Sequence, residues 1–223
     1  MKILAVDTSS AICSVALLDD DKLIDEINLD NGRTHSENLM PLVDEIIRKN
    51  NLAVNDIEFI ACCVGPGSFT GIRIGVSSIK AIAEILNVKL AQVTSLETLA
   101  ANVENEETIV SLIDARNNQV YCGIFDKEYN LKEEALADDI NEAINHIKQY
   151  NGVVITGNGI EVHKELLEKE LINVKFAEEN RQLAKNVGKI GYKKLKENAV
   201  ENADTIIPIY LRKSQAERLK KIK

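Results

Sequence analysis

The first residues that could support chemistry are Asp7, Thr8, Ser9 and Ser10, which follow an apolar run that begins at Ile3. A carboxylate at the end of a strand, beside hydroxyls and turn amides, can hold Mg²⁺ and a phosphate. Asp7, Thr8 and Ser9 are therefore the candidate cofactor-binding residues. The turn has no glycine, which a phosphate-binding hairpin usually needs so that its backbone can approach the anion. This favours the alternative, a turn that is closed by its own side-chain hydrogen bonds.

Glycines cluster in a second segment, Gly65–Gly75, which reads GPGSFTGIRIG. It lies between a predicted strand and a predicted helix, where backbone N–H groups can bind an anion. The segment lacks the Lys-Ser/Thr pair of a Walker A loop, and its spacing differs from the dinucleotide-binding fingerprint. Gly71, Gly75 and Ser78 fall on one face of the predicted helix. Small residues there allow close approach of the protein's own sheet or of a helix from another subunit, and the sequence leaves both open.

Two further polar clusters are more typical of structure than of catalysis. His35 and Glu37 could form an acid–base pair, but the segment around them is typical of a helix cap. Asp114 and Arg116 follow a predicted strand, and we expect a structural ion pair there. The sequence shows no set of nucleophile, base and orienting residue, so we assign no catalytic residues.

The cysteines and histidines do not form a metal-binding pattern. No two cysteines form a C-x-x-C pair and all lie in apolar runs, so we expect buried, reduced thiols. The histidines are scattered along the chain, and a dedicated metal site is therefore not expected. The residues in question are Cys13, Cys62, Cys63, Cys122, His35, His146 and His163.

The composition is that of an ordinary globular protein, with 45% apolar and 28% charged residues in a chain of 223. The net charge of −8 repels phosphate backbones, which argues against nucleic-acid binding by the chain alone. Only 4% of the residues are aromatic and none is tryptophan, so a base-stacking surface is not expected. No apolar run approaches the ~20 residues of a membrane helix, and Ile3–Val6 is too short for a signal peptide. We therefore expect a cytoplasmic protein.

The hydrophobic pattern predicts strands and helices in two successive blocks. The first block has predicted strands over 2–7, 12–19, 23–29, 57–64 and 89–93, and helices over 36–50, 71–86 and 95–103. The second has predicted strands over 108–114, 119–126, 129–136 and 153–156, and helices over 139–149, 160–170 and 181–198. Residues 206–211 are predicted to be extended, and residues 212–223 are predicted to be a solvated basic tail.

A shift of 107 residues relates the two blocks. Without a gap it places Val6 on Ile113, Asp7 on Asp114, Leu17 on Ile124, Leu18 on Phe125 and Asp19 on Asp126. We therefore predict a duplicated β-β-β-α-β-α unit in a two-lobed α/β protein with mixed sheets. The predicted domains are an N-terminal lobe over 1–105, a C-terminal lobe over 106–205, and the segment 206–223.

Six segments, in order along nearly the whole chain, resemble the bacterial TsaB (YeaZ) family. The most specific are GPGSFTGIRIG at 65–75 and VTSLETLA at 93–100. The others are ILAVDTSSAICS at 3–14, RTHSENLMPLV at 33–43, DARNNQVY at 114–121 and PIYLR at 208–212. The resemblance implies an actin-like ATPase fold (ASKHA, ribonuclease H-like) that is built from the duplicated unit.

The resemblance also implies a role in forming N6-threonylcarbamoyladenosine (t6A) at position 37 of tRNAs that read ANN codons. In that system a paralogue, TsaD, is the catalytic subunit, and an ATPase, TsaE, joins the complex. A TsaB-like chain is expected to be the non-catalytic activator of TsaD, to help recruit TsaE, and to form a homodimer when alone. We expect no cofactor on the isolated chain, ATP and Mg²⁺ only within the complex, and contact with tRNA only through the complex.

One departure from the catalytic paralogue supports this expectation. TsaD-like chains carry two metal-binding histidines four residues apart, and the matching positions here are Ser95, a weak ligand, and Leu99, which cannot bind a metal. The family resemblance further implies that helices 36–50 and 71–86 pack against the same pair of helices on a partner. The candidate interface residues are Leu39, Val43, Gly71, Ile72, Arg73, Gly75, Val76, Ile79 and Lys80, with Arg73, Lys80 and Glu84 as rim charges that select the partner.

Two alternatives stay open. Asp7 and Asp114, at the ends of paired strands, also fit a small-molecule kinase of the same fold. A metallopeptidase is suggested only by an older label of the family, and the residues at 95 and 99 argue against it.

Overall fold

The computed structural model describes residues 1–211 and contains two five-stranded mixed sheets. The first half of the chain forms β1 (Lys2–Asp7), β2 (Cys13–Asp19), β3 (Lys22–Leu29), α1 (His35–Lys49), a short 3₁₀ turn (Val54–Asp56), β4 (Phe59–Cys63), α2 (Phe69–Leu86), β5 (Leu90–Val93) and α3 (Ser95–Ala100). The second half forms β6 (Ile109–Asp114), β7 (Gln119–Phe125), β8 (Leu136–Asp139), α4 (Ile140–Ile147), β9 (Val153–Thr156), α5 (Gly159–Glu170), β10 (Val174–Phe176) and α6 (Ala184–Lys196).

Both sheets have the same topology. The strand order is β3-β2-β1-β4-β5 in the first sheet and β8-β7-β6-β9-β10 in the second. In each, the first three strands of the chain pair antiparallel and the next two join in parallel. This repeated order confirms the predicted two-lobed α/β fold with a duplicated unit and mixed sheets.

The strand registers correct the ungapped alignment of the two halves. Asp7 pairs with Ser14 in the first hairpin, whereas Asp114 pairs with Val120 in the second. The turn of the second hairpin is therefore one residue shorter. The equivalence of Asp7 and Asp114 holds, but the alignment beyond the turn is wrong by one residue.

Some element boundaries also differ from prediction. The strand predicted over 129–136 is wrong, since β8 covers 136–139 and the preceding stretch makes only an isolated bridge through Leu131. Asp139 caps α4, because its side chain accepts a hydrogen bond from the Asn141 N–H at 2.9 Å. Strand β10, three residues at a sheet edge, has no counterpart in the prediction because it is too short to show a hydrophobic period.

Helices cover both faces of each sheet, which explains the nearly continuous apolar strands. Helices α1 and α2 pack on one face of the first sheet and α6 on the other. Helices α4 and α5 cover one face of the second sheet, and α3 covers the other. Helix α6 thus lies on the first sheet although it falls in the range predicted for the C-terminal lobe, and the domain boundaries stay a prediction. Within residues 1–211, no helix is both long and apolar enough to cross a membrane.

Candidate functional site

The turn between β1 and β2 is closed by its own hydrogen bonds. Asp7 is 0% exposed, and its Oδ1 accepts hydrogen bonds from the Ser9 N–H and the Ser9 hydroxyl, both at 2.7 Å. Its Oδ2 is buried and has no hydrogen-bond partner in the described part of the chain. Burial raises the pKa of Asp7, and the two hydrogen bonds from Ser9 only partly oppose that effect. The turn therefore has the self-closed form that its missing glycine favoured.

The glycine-rich segment, Gly65–Gly75, packs directly on this turn. The Ser68 N–H donates to the Ser9 carbonyl at 2.7 Å, and a Cβ at Gly67 would lie 2.2 Å from the same oxygen. The Thr8 hydroxyl donates to the Gly71 carbonyl at 2.8 Å. The loop thus occupies the space beside the turn and uses the turn's polar groups for contacts within the chain.

Gly71 and Gly75 are small because α2 packs closely on Thr8. A Cβ at Gly71 would lie 2.1 Å from the Thr8 carbonyl oxygen, and one at Gly75 would lie 2.3 Å from the Thr8 Oγ1. A side chain at Gly71 would force the Thr8 backbone to shift, and one at Gly75 would displace the Thr8 hydroxyl. Of the two open explanations for the small residues, packing on the chain's own hairpin is therefore the one that the structure supports for these two glycines.

A cleft of about 460 Å³ lies between the two hairpins. Asp114 lines it, and its Oδ1 accepts from the Arg116 backbone N–H at 2.9 Å. The expected ion pair between the two side chains is wrong within the described residues, because the contact uses the backbone of Arg116 rather than its guanidinium. The other lining residues include Ser9, Ser10, Ser68, Tyr121, Asn158, Gln182 and Tyr210.

The actin-like ATPase fold that the resemblance implies would place ATP and Mg²⁺ at such a cleft, and the first hairpin offers that pair no accessible carboxylate. Asp7, the carboxylate of the first hairpin, is sealed below the turn and does not line the cleft. In residues 1–211, no group of three or more His, Cys, Asp or Glu side chains could hold a metal ion together. Ser95 and Leu99, the positions matched to metal-binding histidines, are both completely buried in α3.

The remaining polar clusters are structural. Glu37 accepts a hydrogen bond from the Thr34 N–H at 3.2 Å, which confirms the predicted cap at the start of α1. His35 donates from Nε2 to the Ser10 carbonyl at 2.9 Å and so ties α1 to the hairpin.

All four cysteines are free and buried, as expected. Burial raises the pKa of Cys13 to about 11 and that of Cys122 to about 12, and the negative charges of Asp7 and Glu133 add to these respective shifts. Such thiols are unreactive at neutral pH.

The predicted interface residues fall into two groups, a buried group and the two charged residues Arg73 and Lys80, which are described below. Leu39, Val43, Ile72, Val76 and Ile79 are at most 3% exposed and belong to the core under the first sheet. With Gly71 and Gly75 also buried inside the chain, these residues are not available to a rigid partner. The interface and its residues stay a prediction, and in the single chain these seven residues are part of the core.

The exposed face of α2 is the part that a partner could reach. It carries Thr70, Arg73, Ser77, Ala81 and Ile85, and Ile85 is 83% exposed. We call these five residues the outer helix surface. Ser77 and Ala81 are small, so a helix of another subunit could approach closely between Thr70 and Ile85.

Residues 201–211 form a strap on the first half of the chain; its last part, 206–211, was predicted to be extended, but its contacts were not predicted. It begins at Glu201, which pairs with Leu90 of β5, and continues to Ile209, whose N–H donates to the Val64 carbonyl at 2.8 Å. Arg73 and Lys80, predicted as rim charges, contact this C-terminal strap. Lys80 Nζ donates to the carbonyls of Asp204 and Ile206, each at 3.2 Å. The predicted basic tail, 212–223, lies outside the described residues.

Comparisons with known proteins agree with one another. The model of the family TsaD, tRNA N6-adenosine threonylcarbamoyltransferase, matches residues 29–220. The chain is 32% identical to the tRNA threonylcarbamoyladenosine biosynthesis protein TsaB of Bacillus subtilis, over 97% of this chain and 96% of that protein. The corresponding Haemophilus influenzae protein is 30% identical over 95% of this chain and 94% of its own length.

Solved structures show the fold. YeaZ from Pseudomonas aeruginosa superposes with a TM-score of 0.77 at 22% identity, over 94% of this chain and 99% of that one. An activator of 2-hydroxyisocaproyl-CoA dehydratase from Clostridium difficile, solved with bound ADPNP, gives 0.58 at 10% identity, over 94% of this chain and 100% of that one. The chain therefore shares its fold with both of these proteins.

Proposed function

Because the chain belongs to the TsaB (YeaZ) family of tRNA threonylcarbamoyladenosine biosynthesis proteins, we propose that it is the non-catalytic subunit of the complex that forms t6A at position 37 of tRNAs reading ANN codons. It dimerises with a TsaD-type catalytic subunit, activates it, and helps recruit a TsaE-type ATPase. When alone, it pairs with a second copy through the same surface, so the two dimers compete. The proposed place of action is the cytoplasm.

The observation that carries the proposal is the closed first hairpin. Asp7 is the one carboxylate of that hairpin placed to hold a metal-bound phosphate, and it is completely buried below a turn that Ser9 closes. The glycine-rich loop seals the turn through the bond from Ser68 to the Ser9 carbonyl. We infer that the isolated chain binds no ATP or Mg²⁺ here and that nucleotide enters only with the complex. Its net charge of −8 further favours contact with tRNA through the complex.

Docking is supported by the outer helix surface. It combines small residues with an isoleucine that is 83% exposed, on a helix whose opposite face is fully used in the core. An interface combines apolar and polar groups, and this surface offers both: Ile85 lies beside Glu84 at the end of α2, and Arg73 lies about 18 Å away near its start.

The experiment compares two isoleucines that are equally exposed. Ile85→Arg places a charge on the outer helix surface, whereas Ile172→Arg places the same charge on the second lobe, where Ile172 is 82% exposed. Sedimentation velocity with a TsaD-type subunit should show loss of the heterodimer for Ile85→Arg and an unchanged heterodimer for Ile172→Arg. Heterodimers of equal stability for both variants would remove α2 from the interface. The substitution Gly75→Leu is unsuitable here, because Gly75 packs on Thr8 inside the chain.

A second candidate, a small-molecule kinase, is favoured only by Asp114, whose side chain does line the cleft. It predicts Mg²⁺-dependent ATP hydrolysis or phosphate transfer by the isolated chain, lost in Asp114→Asn. Titration with ATP and Mg²⁺ that gives no heat of binding would end this alternative.

A further inference from the structure

Arg73 lies in a cluster that joins the first turns of α2 to the C-terminal strap. The guanidinium carbon is 3.9 Å from the centroid of the Phe69 ring and 5.7 Å from that of Tyr210. Nε donates to the Tyr210 hydroxyl at 2.8 Å, and the two ring centroids are 4.6 Å apart. The arginine is therefore fixed by two rings and one hydrogen bond within the chain itself.

The cluster is nevertheless exposed and incompletely paired. Phe69 is 36% exposed and Tyr210 is 40% exposed. The arginines at 48 and 181 form ion pairs with carboxylates, but no carboxylate in residues 1–211 pairs with Arg73. A guanidinium has five N–H donors in a planar fork, and within these residues only Nε of Arg73 donates. Among residues 1–211, its terminal nitrogens have no acceptor, so they can bind one from outside this part of the chain.

The strap, residues 201–211, places Tyr210 of this cluster beside the outer helix surface. Lys80 holds the strap through two backbone carbonyls, and Ile209 holds it through Val64. Between these anchors Ile207 is 62% exposed. Tyr210 therefore lies beside α2 in contact with Arg73 and Phe69, and the strap extends the proposed docking surface beyond the two helices.

We propose, on the premise of the proposed function, that Arg73 receives a carboxylate of the TsaD-type subunit in the heterodimer. Because Nε already donates to Tyr210, the two terminal nitrogens bind the two carboxylate oxygens as a bidentate pair, which is a strong and directional geometry. Phe69 and Tyr210 pack around the pair and exclude water from it. Because the guanidinium is already held in place, little side-chain entropy is lost on binding. Arginine and tyrosine in such a setting are typical of interface hot spots.

The test is calorimetric titration of the TsaD-type subunit into the full-length chain at low and high salt. Arg73→Gln should raise the Kd at least about tenfold and reduce its salt dependence, since one ion pair is gone. Tyr210→Phe keeps the ring but removes the hydroxyl that orients Arg73, and should give a smaller increase. Arg181→Gln removes an exposed arginine of the second lobe and should bind like the wild type.

The outcomes separate the two proposals. If Arg73→Gln keeps wild-type affinity and salt dependence while Ile85→Arg loses binding, the role of Arg73 is refuted and the proposed function stands. If the wild-type chain forms no heterodimer, both are refuted. Should Arg73→Gln unfold, Arg73→Lys keeps the charge without the fork, and its wild-type affinity would contradict bidentate carboxylate binding.

Discussion

The packing of α2 on the first hairpin predicts that replacing Gly75 by alanine lowers the stability of the protein, whereas the same change in an exposed helix raises it. In an exposed helix, Gly→Ala stabilises by about 1 kcal/mol. At Gly75, however, the new Cβ would lie 2.3 Å from the Thr8 Oγ1, and the hydroxyl would have to leave its bond to the Gly71 carbonyl. An unsatisfied buried group costs about 1–3 kcal/mol, and overpacking a core costs about 1–3 kcal/mol more.

The balance is a net destabilisation of about 1–5 kcal/mol for Gly75→Ala. For a chain of this length, 1 kcal/mol corresponds to a change in Tm of about 2–4 °C, so we expect Tm to fall by about 2–20 °C. Calorimetry and urea unfolding measure both quantities. Ser77→Ala, on the exposed face of the same helix, is the matched control and should change stability by less than about 0.5 kcal/mol.

A double-mutant cycle identifies the contact. In a Thr8→Ala background the clashing hydroxyl is absent, so Gly75→Ala should cost much less than in the wild type, with a coupling of at least about 1 kcal/mol. A Gly75→Ala variant that is more stable than wild type would refute the close approach of α2 to the hairpin. It would also restore Gly75 as a candidate contact of the subunit interface.

Two further predictions concern buried groups. Burial raises the pKa of Asp7, so the folded state binds its proton more tightly than the unfolded state, and stability should fall as the pH rises from about 4 through the raised pKa. Asp7→Asn should remove that pH dependence, which urea titrations at several pH values measure, and an unchanged fall in stability with rising pH would contradict the raised pKa of Asp7. The thiols of Cys13, Cys62, Cys63 and Cys122 should react with a thiol reagent only on unfolding, and stoichiometric labelling of the native chain at pH 7 would contradict their burial.

Much of the fold was predictable because its signals are local. An apolar run such as Ile3–Val6 and a strand, turn and helix around Gly65–Gly75 identify their elements without knowledge of the rest. The short edge strand β10, Val174–Phe176, was not predicted because three residues are too few to show a hydrophobic pattern. Its position is fixed by pairing with β9 instead. The length of the second hairpin turn is set by strand register, and apolar strands align equally well one residue apart.

The site was less predictable because it depends on contacts between distant residues. Helical spacing places Gly71 and Gly75 on one face, but only the fold shows that this face meets Thr8. Arg73 looks like an isolated surface charge in the sequence, and its partner Tyr210 is 137 residues away. The missing glycine at the hairpin tip was the one local signal that correctly indicated a closed turn.

The measurement that tests the central claim most directly is t6A formation by a reconstituted system with TsaD-type and TsaE-type partners, tRNA, and this chain or its variants. The account predicts no modification by this chain alone, full stimulation by Asp7→Asn, and loss of stimulation by Ile85→Arg. An Asp7→Asn chain that still forms the heterodimer but abolishes modification would contradict it, because the first hairpin would then take part in the chemistry.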